Sequence, residues 1–201
     1  MNKFTLDPTE AALIVIDMQE FACGGIEKPR QGELERVIDT INRLAGTSRD
    51  RGIPVIWVRQ NINTFKDGDD GGFYGLFHDE DRTRMIMDYG PGTEIAGSMN
   101  PDLERDHVVF KNRYSAFLSK PPELQLKLEE LGRRQLLITG IAANVCVEST
   151  LRDAMQLDYE VILVSDGTMG TDDEAYRSTV NNTRMFFGDV LKAEEIIKQL
   201  R

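Results

Sequence analysis

The stretch Gln135–Thr150, QLLITGIAANVCVEST, joins an apolar run to a turn of small residues and then to a polar, helix-like segment. A strand that feeds directly into a helix is the repeating step of an α/β fold. The same stretch singles out Cys146. A helix start offers backbone N–H groups and the positive end of the helix dipole, which lower a thiol pKa and can hold an oxyanion.

Working outward, four more short runs rich in Val, Ile and Leu accompany Leu136–Thr139. They are Ala12–Ile16, Pro54–Val58, His107–Phe110 and Val161–Val164, with a sixth short strand expected near Phe186–Val190. Near-continuous apolar runs suit strands buried on both faces, as in a parallel sheet. Helical periods lie between most of them. Glu33–Arg51 carries Leu34, Val37, Ile38, Ile41 and Leu44 before Gly52, and Pro122–Leu131 ends at Gly132. Val147–Leu157 follows the cysteine, and Ala193–Leu200 closes the chain. The alternation predicts an open sheet with helices on both faces, in one domain spanning residues 1–201.

Composition sets limits on function. The 201 residues are 40% hydrophobic and 29% charged, as in ordinary soluble domains. A net charge of −10 disfavours nucleic acid and anionic membranes as partners but leaves small anions open. No apolar run approaches the roughly 18 residues of a membrane span. The start, MNKFTLDPTEAALIVID, has no secretory h-region, and Cys23 and Cys146 make no disulfide framework. The expected setting is reducing and cytoplasmic, with free thiols.

In open α/β sheets, ligands bind beyond the carboxyl ends of the strands. Asp17 follows the first run, Lys111 the third and Cys146 the fourth. Each alone has a bland explanation: a turn-forming Asp, a solvated Lys, an inert core Cys. Together they supply a chemistry. Asp17 takes the thiol proton, Lys111 holds Asp17 ionised and favours the thiolate, and Cys146 attacks a carbonyl to give a thioester. The only histidines, His78 and His107, follow no strand end, so a Cys-His dyad is disfavoured. The long segment Asn61–Asp106, rich in Gly, Asp and aromatics, reads as a rim or lid.

Three motifs, in order, resemble those of the isochorismatase-like superfamily of cysteine hydrolases: LIVIDMQ with Asp17, VVFKNRYSAF with Lys111, and TGIAANVCVESTLRDA with Cys146. The resemblance covers nearly the whole chain. It implies a three-layer α/β/α, Rossmann-like fold on a six-stranded, mostly parallel sheet, and an Asp17-Lys111-Cys146 triad. It also implies a cis peptide at Ile141–Ala142 and an oxyanion hole from the backbone N–H groups of Ala142 and Cys146. With strand order 3-2-1-4-5-6, Asp17 and Cys146 flank the switch point and Lys111 has to reach inward.

Nicotinamidases of this superfamily hold a metal with an Asp-x-His pair after the second strand. Here that place reads Gln60-Asn61-Ile62-Asn63, so no metal and no other cofactor is expected. NVCVESTLRDA and the pair Phe186–Phe187 before Gly188 resemble ureidoacrylate-type amidohydrolases, with biuret and N-carbamoyl amide hydrolases as near relatives. The implied substrate is a small amide, ureido or carbamoyl compound. Gln60, Asn61, Arg113, Tyr114 and Asn144 are candidate contacts, with Phe21, Trp57 and Tyr74 as candidate walls. The superfamily also implies a homo-oligomer, dimer or tetramer. Two alternatives stay open: an isochorismatase cleaving a vinyl ether to pyruvate, which shares RYSAF, and a redox-sensing or non-catalytic member of the fold.

Overall fold

Every residue of strand β1 (Ala11–Ile16) is buried, which places it at the centre of the sheet. The computed structural model describes residues 3–62, 77–78 and 80–200. Around β1 stand β2 (Val55–Gln60), β3 (His107–Lys111), β4 (Gln135–Ile141), β5 (Glu160–Met169) and β6 (Asp189–Leu191), in the order β3-β2-β1-β4-β5-β6. All pairs are parallel. The chain winds one way from β1 to β3 and the other way from β4 to β6. The order therefore reverses between β1 and β4, where a crevice opens at the carboxyl edge.

Side chains alternate across the sheet. Ala11, Leu13 and Val15 join one apolar cluster, and Ala12, Ile14 and Ile16 join another. Helix α2 (Gln31–Asp50) covers the first face with Leu34, Val37, Ile38, Ile41 and Leu44, and α7 (Ala193–Gln199) adds Ile196 and Ile197. Helices α4 (Glu123–Leu131) and α5 (Glu148–Gln156) cover the second face with Leu124, Leu128, Leu151 and Ala154. The result is three layers, with helices on both sides of a six-stranded parallel sheet. Two short helices, α1 (Glu20–Gly24) and α3 (Glu80–Arg84), lie in the long connections. Helix α6 (Asp173–Asn182) starts at Asp172, whose side chain accepts a hydrogen bond from the Ala175 N–H.

The sixth strand falls later than the sequence suggests. Phe186 and Phe187 lie in a π-helical turn, Thr183–Phe187, and β6 begins only at Asp189. Gly188 marks the change, because a Cβ there would sit 2.2 Å from the Val161 carbonyl oxygen. Trp57 belongs to the core on the α2 side and not to a pocket wall. Its Nε1 donates to Asp106 Oδ2 at 2.8 Å, and Arg49 pairs with the same oxygen at 2.6 Å. No helix among the described residues is long and apolar enough to cross a membrane.

Candidate active site

The carboxyl ends of β1, β3 and β4 converge because of specific backbone events. Asp17 has φ 53°, a left-handed conformation that short polar residues tolerate, and it turns the chain abruptly after β1. Gly140 has φ +111°, and a Cβ there would lie 2.0 Å from the Ile16 carbonyl oxygen. Only glycine lets β4 approach β1 this closely, one turn before the cysteine. β5 bulges opposite Thr139, where the register shifts between Ile138 and Gly140. The Ile141–Ala142 peptide is cis. A π-helical turn, Ala143–Val147, then runs straight into α5 and holds Cys146, which is 7% exposed.

Lys111 ends β3, opposite Gln60 of β2. Its side chain is fully buried and reaches inward past β2. The ammonium lies 2.9 Å from Asp17 Oδ2 and donates to Gln60 Oε1 at 2.9 Å, the Arg113 carbonyl at 3.0 Å and Cys146 Sγ at 3.4 Å. Asp17, Lys111 and Cys146 are thus brought together. Gln60 is part of the same cluster, since the thiol lies 3.8 Å from Gln60 Oε1. Gln60 is itself clamped by Gln19. The Gln19 Oε1 accepts from the Gln60 N–H at 2.7 Å, and its Nε2 donates to the Gln60 carbonyl at 3.1 Å. Two buried polar atoms of the cluster, Asp17 Oδ1 and Gln60 Nε2, have no hydrogen-bond partner. Because an ammonium only donates, Lys111 fixes Gln60 with Oε1 inward and leaves Nε2 as an unspent donor.

Burial governs the protonation states. Desolvation raises the Asp17 pKa, opposed by the Lys111 charge and by hydrogen bonding to Cys146. Lys111 loses solvation as well, but the charges of Asp17 and Cys146 hold it protonated above its ordinary value. Burial first, and then the Asp17 charge, push the Cys146 thiol up, against the pull of Lys111. This corrects the expectation of a lowered thiol pKa. The helix start and the lysine are present, but the carboxylate and the dry surroundings outweigh them. The ion pair with Lys111 favours the Asp17 carboxylate, and the Cys146 thiol is held neutral. Cys23 is also a free, buried thiol, pushed up to about 12 mainly by desolvation.

A cavity of about 430 Å³ opens over the cluster, with Asp17, Gln60, Ala142 and Cys146 in its wall. Of the expected contacts, Phe21, Gln60 and Tyr114 line it. Three others do not. Asn61 is buried to one side, where its Oδ1 accepts from the Tyr89 N–H at 2.6 Å. Arg113 donates from Nη1 to the Asn112 carbonyl at 2.8 Å and presents only its own carbonyl to Lys111. Asn144 braces the Ala143–Val147 turn against the end of β5: its Oδ1 accepts from the Thr171 N–H at 2.9 Å, and its Nδ2 donates to Thr171 Oγ1 at 3.1 Å. Tyr74 and Asn63 lie outside the described residues.

The remaining wall comes from places with no motif. Ala22 comes from α1, Gly25, Ile26, Glu27 and Arg30 from the α1–α2 connection, and Met169, Gly170 and Thr171 from the end of β5. His78 also lines the cavity, with Nε2 3.2 Å from the Tyr114 hydroxyl. The strand-end rule finds residues at a sheet edge and is blind to a loop folded over that edge. The one available signal was Glu27-Lys28-Pro29-Arg30, a charged turn directly before a long amphipathic helix.

Comparison with known proteins agrees with this architecture. A family model described as Isochorismatase domain matches residues 11–195. The chain is 31% identical over 216 aligned positions to the ureidoacrylate amidohydrolase RutB of Klebsiella variicola, covering 99% of this chain and 90% of that one. It is 28% identical over 191 positions to nicotinamidase 3 of Arabidopsis thaliana, covering 94% and 88% of the two chains. A cysteine hydrolase from Pseudomonas syringae pv. phaseolicola superposes with TM-score 0.85 at 23% identity, over 100% of this chain and 96% of that one, a likeness of fold. With the matched model spanning nearly the whole chain and its strands meeting in this order, the chain belongs to the isochorismatase family of hydrolases.

Proposed function

We propose that this protein is a metal-free cysteine amidohydrolase that cleaves a C–N bond of a small amide, ureido or carbamoyl compound. The observation that carries the reading is the buried Asp17–Lys111–Cys146 cluster opening on a small cavity at the switch point of the sheet. As Cys146 Sγ attacks the substrate carbonyl, its proton passes to Asp17, whose Oδ1 has no other partner. A carboxylate with a raised pKa is suited to this, because it accepts the proton only as the sulfur bonds to carbon. The backbone N–H groups of Ala142 and Cys146 take the developing oxyanion. Asp17 returns the proton to the departing nitrogen, and ammonia or an amine leaves. The acyl group remains as a thioester, or as a thiocarbamate where the carbonyl belongs to a ureido group. Water, deprotonated by Asp17, then releases the acid and restores the thiol. Lys111 keeps its proton throughout and holds Asp17 in place.

The metal-free part of the reading rests on donor chemistry. The position after β2 offers Asn61, a poor transition-metal ligand, and its oxygen is committed to the Tyr89 N–H. The likeness to a ureidoacrylate amidohydrolase supports an amide or ureido substrate over a vinyl ether. The test is a panel of ureido acids, carbamoyl amino acids, small primary amides and isochorismate, with Cys146→Ala and a chelator as controls. Ammonia release from at least one amide class, lost by roughly 10³-fold or more in the variant and unchanged by chelator, is expected. Pyruvate release retained by Cys146→Ala, with no ammonia from any amide, sinks the proposal.

A further inference from the structure

We infer that the site takes an uncharged amide or urea and discriminates against substrates that carry a carboxylate. This rests on the amidohydrolase reading above and narrows its substrate class. Besides His78, whose Nε2 lies 3.2 Å from the Tyr114 hydroxyl, three charged side chains belong to the described wall of the cavity: Asp17, Glu27 and Arg30. Asp17 is matched by Lys111 at 2.9 Å. Arg30, the single guanidinium in that wall, is committed elsewhere. Its Nε and Nη2 donate to Glu33 Oε2 at 3.0 and 2.7 Å, and its Nη1 donates to the carbonyls of Gly170 and Thr171 at 2.7 and 2.6 Å. Four of its five N–H groups are thereby used. Glu27 is left as a carboxylate with no ion-pair partner among the described residues, and the neighbouring Lys28 is exposed and outside the wall.

The rest of the wall is mainly apolar, with Phe21, Ile26, Ile141, Val145 and Met169. A carboxylate entering here gives up water, meets no uncommitted cation among these residues, and has to displace Glu33 to reach Arg30. The whole chain carries −10. A field of that sign slows the approach of anions. At the reacting end, the unspent Gln60 Nε2 is a donor that an uncharged carbonyl satisfies. Among the described wall residues, a neutral amide thus finds a free donor, whereas a carboxylate finds no uncommitted guanidinium.

Matched pairs test this, since each pair shares one leaving group and differs in charge: propylurea against 3-ureidopropionate, and butyramide against succinamate. Ammonia release near neutral pH and low salt is measured for wild type, Glu33→Gln, Glu27→Gln and Cys146→Ala. Wild type is expected to favour the uncharged member in kcat/KM by at least about tenfold. Glu33→Gln, which removes the counter-charge of Arg30, and Glu27→Gln, which removes the rim charge, are each expected to narrow that ratio. The ratio is internal to each variant, so a partly destabilised variant still reports. A wild-type preference for the carboxylate member, or none, overturns this inference while the amidohydrolase reading stands. A preference unmoved by both variants also overturns it. No Cys146-dependent release from any member overturns the amidohydrolase reading and this inference with it.

Discussion

Replacing Lys111 with methionine tests the electrostatic core of the site directly. Methionine keeps the unbranched shape but removes a charge that faces Asp17 Oδ2, Gln60 Oε1, the Arg113 carbonyl and Cys146 Sγ. The main cost is Asp17, a carboxylate then buried without a counter-charge. Removing one member of a buried pair costs about 3–5 kcal/mol, which for a chain of 201 residues lowers Tm by about 6–20 °C. The cost depends on pH, and the sign is fixed. In the unfolded chain Asp17 titrates near 3.8, whereas burial raises it in the folded state, and loss of Lys111 raises it further. Between those two values the folded variant holds a proton that the unfolded chain has released. Stability is therefore present at low pH and lost as pH rises, at about 1.4 kcal/mol per unit, until Asp17 ionises in the folded variant as well. Calorimetry from pH 4 to 8 is expected to show Lys111→Met nearest wild type at the acid end and falling away above it. Asp17→Asn/Lys111→Met, which leaves no buried charge of the pair, is expected to recover more than half of the loss at pH 8. A deficit that is constant with pH, or a double variant no more stable than Lys111→Met, refutes the reasoning.

Two further outcomes follow from the same geometry. Gly140→Ala places a methyl group 2.0 Å from the Ile16 carbonyl, whereas Gly132→Ala, also at positive φ, meets nothing within 4 Å. The first is expected to lose several-fold more stability than the second, which pays only the left-handed strain of about 1–2 kcal/mol, and equal Tm values would contradict the close approach. Because burial and the Asp17 charge raise the Cys146 thiol, its alkylation by iodoacetamide is expected to be slow near neutrality and to climb about tenfold per pH unit. Asp17→Asn is expected to speed it at fixed pH, and a rate independent of pH above 6 would show a thiolate at rest instead.

The central strands were legible because their signal is local. AALIVI is apolar throughout and QLLITGI mainly so, and both lie buried in the interior of the sheet with helices on either side. The reactive residues at the carboxyl ends of β1, β3 and β4 were legible by the strand-end rule. β6 was misplaced by three residues because Phe186 and Phe187 read as strand formers, while the close approach of Gly188 to Val161 is a long-range contact. Asn61, Arg113 and Asn144 stand beside the motif residues in sequence, yet their side chains turn to Tyr89, Asn112 and Thr171. Adjacency in sequence does not say which face of a turn a side chain takes.

What the sequence determined by itself is the alternation of buried strands and helices and the chemistry waiting at three strand ends. Both are written in residue type and period. The tertiary structure alone decided that Lys111 crosses past β2 to Asp17, that Gln60 joins them under the clamp of Gln19, and that the loop carrying Glu27 and Arg30 closes over the crevice. It also decided the charge state of Cys146. A pKa depends on how completely water is excluded and on which charges lie within a few ångströms, and neither is a property of any stretch of sequence.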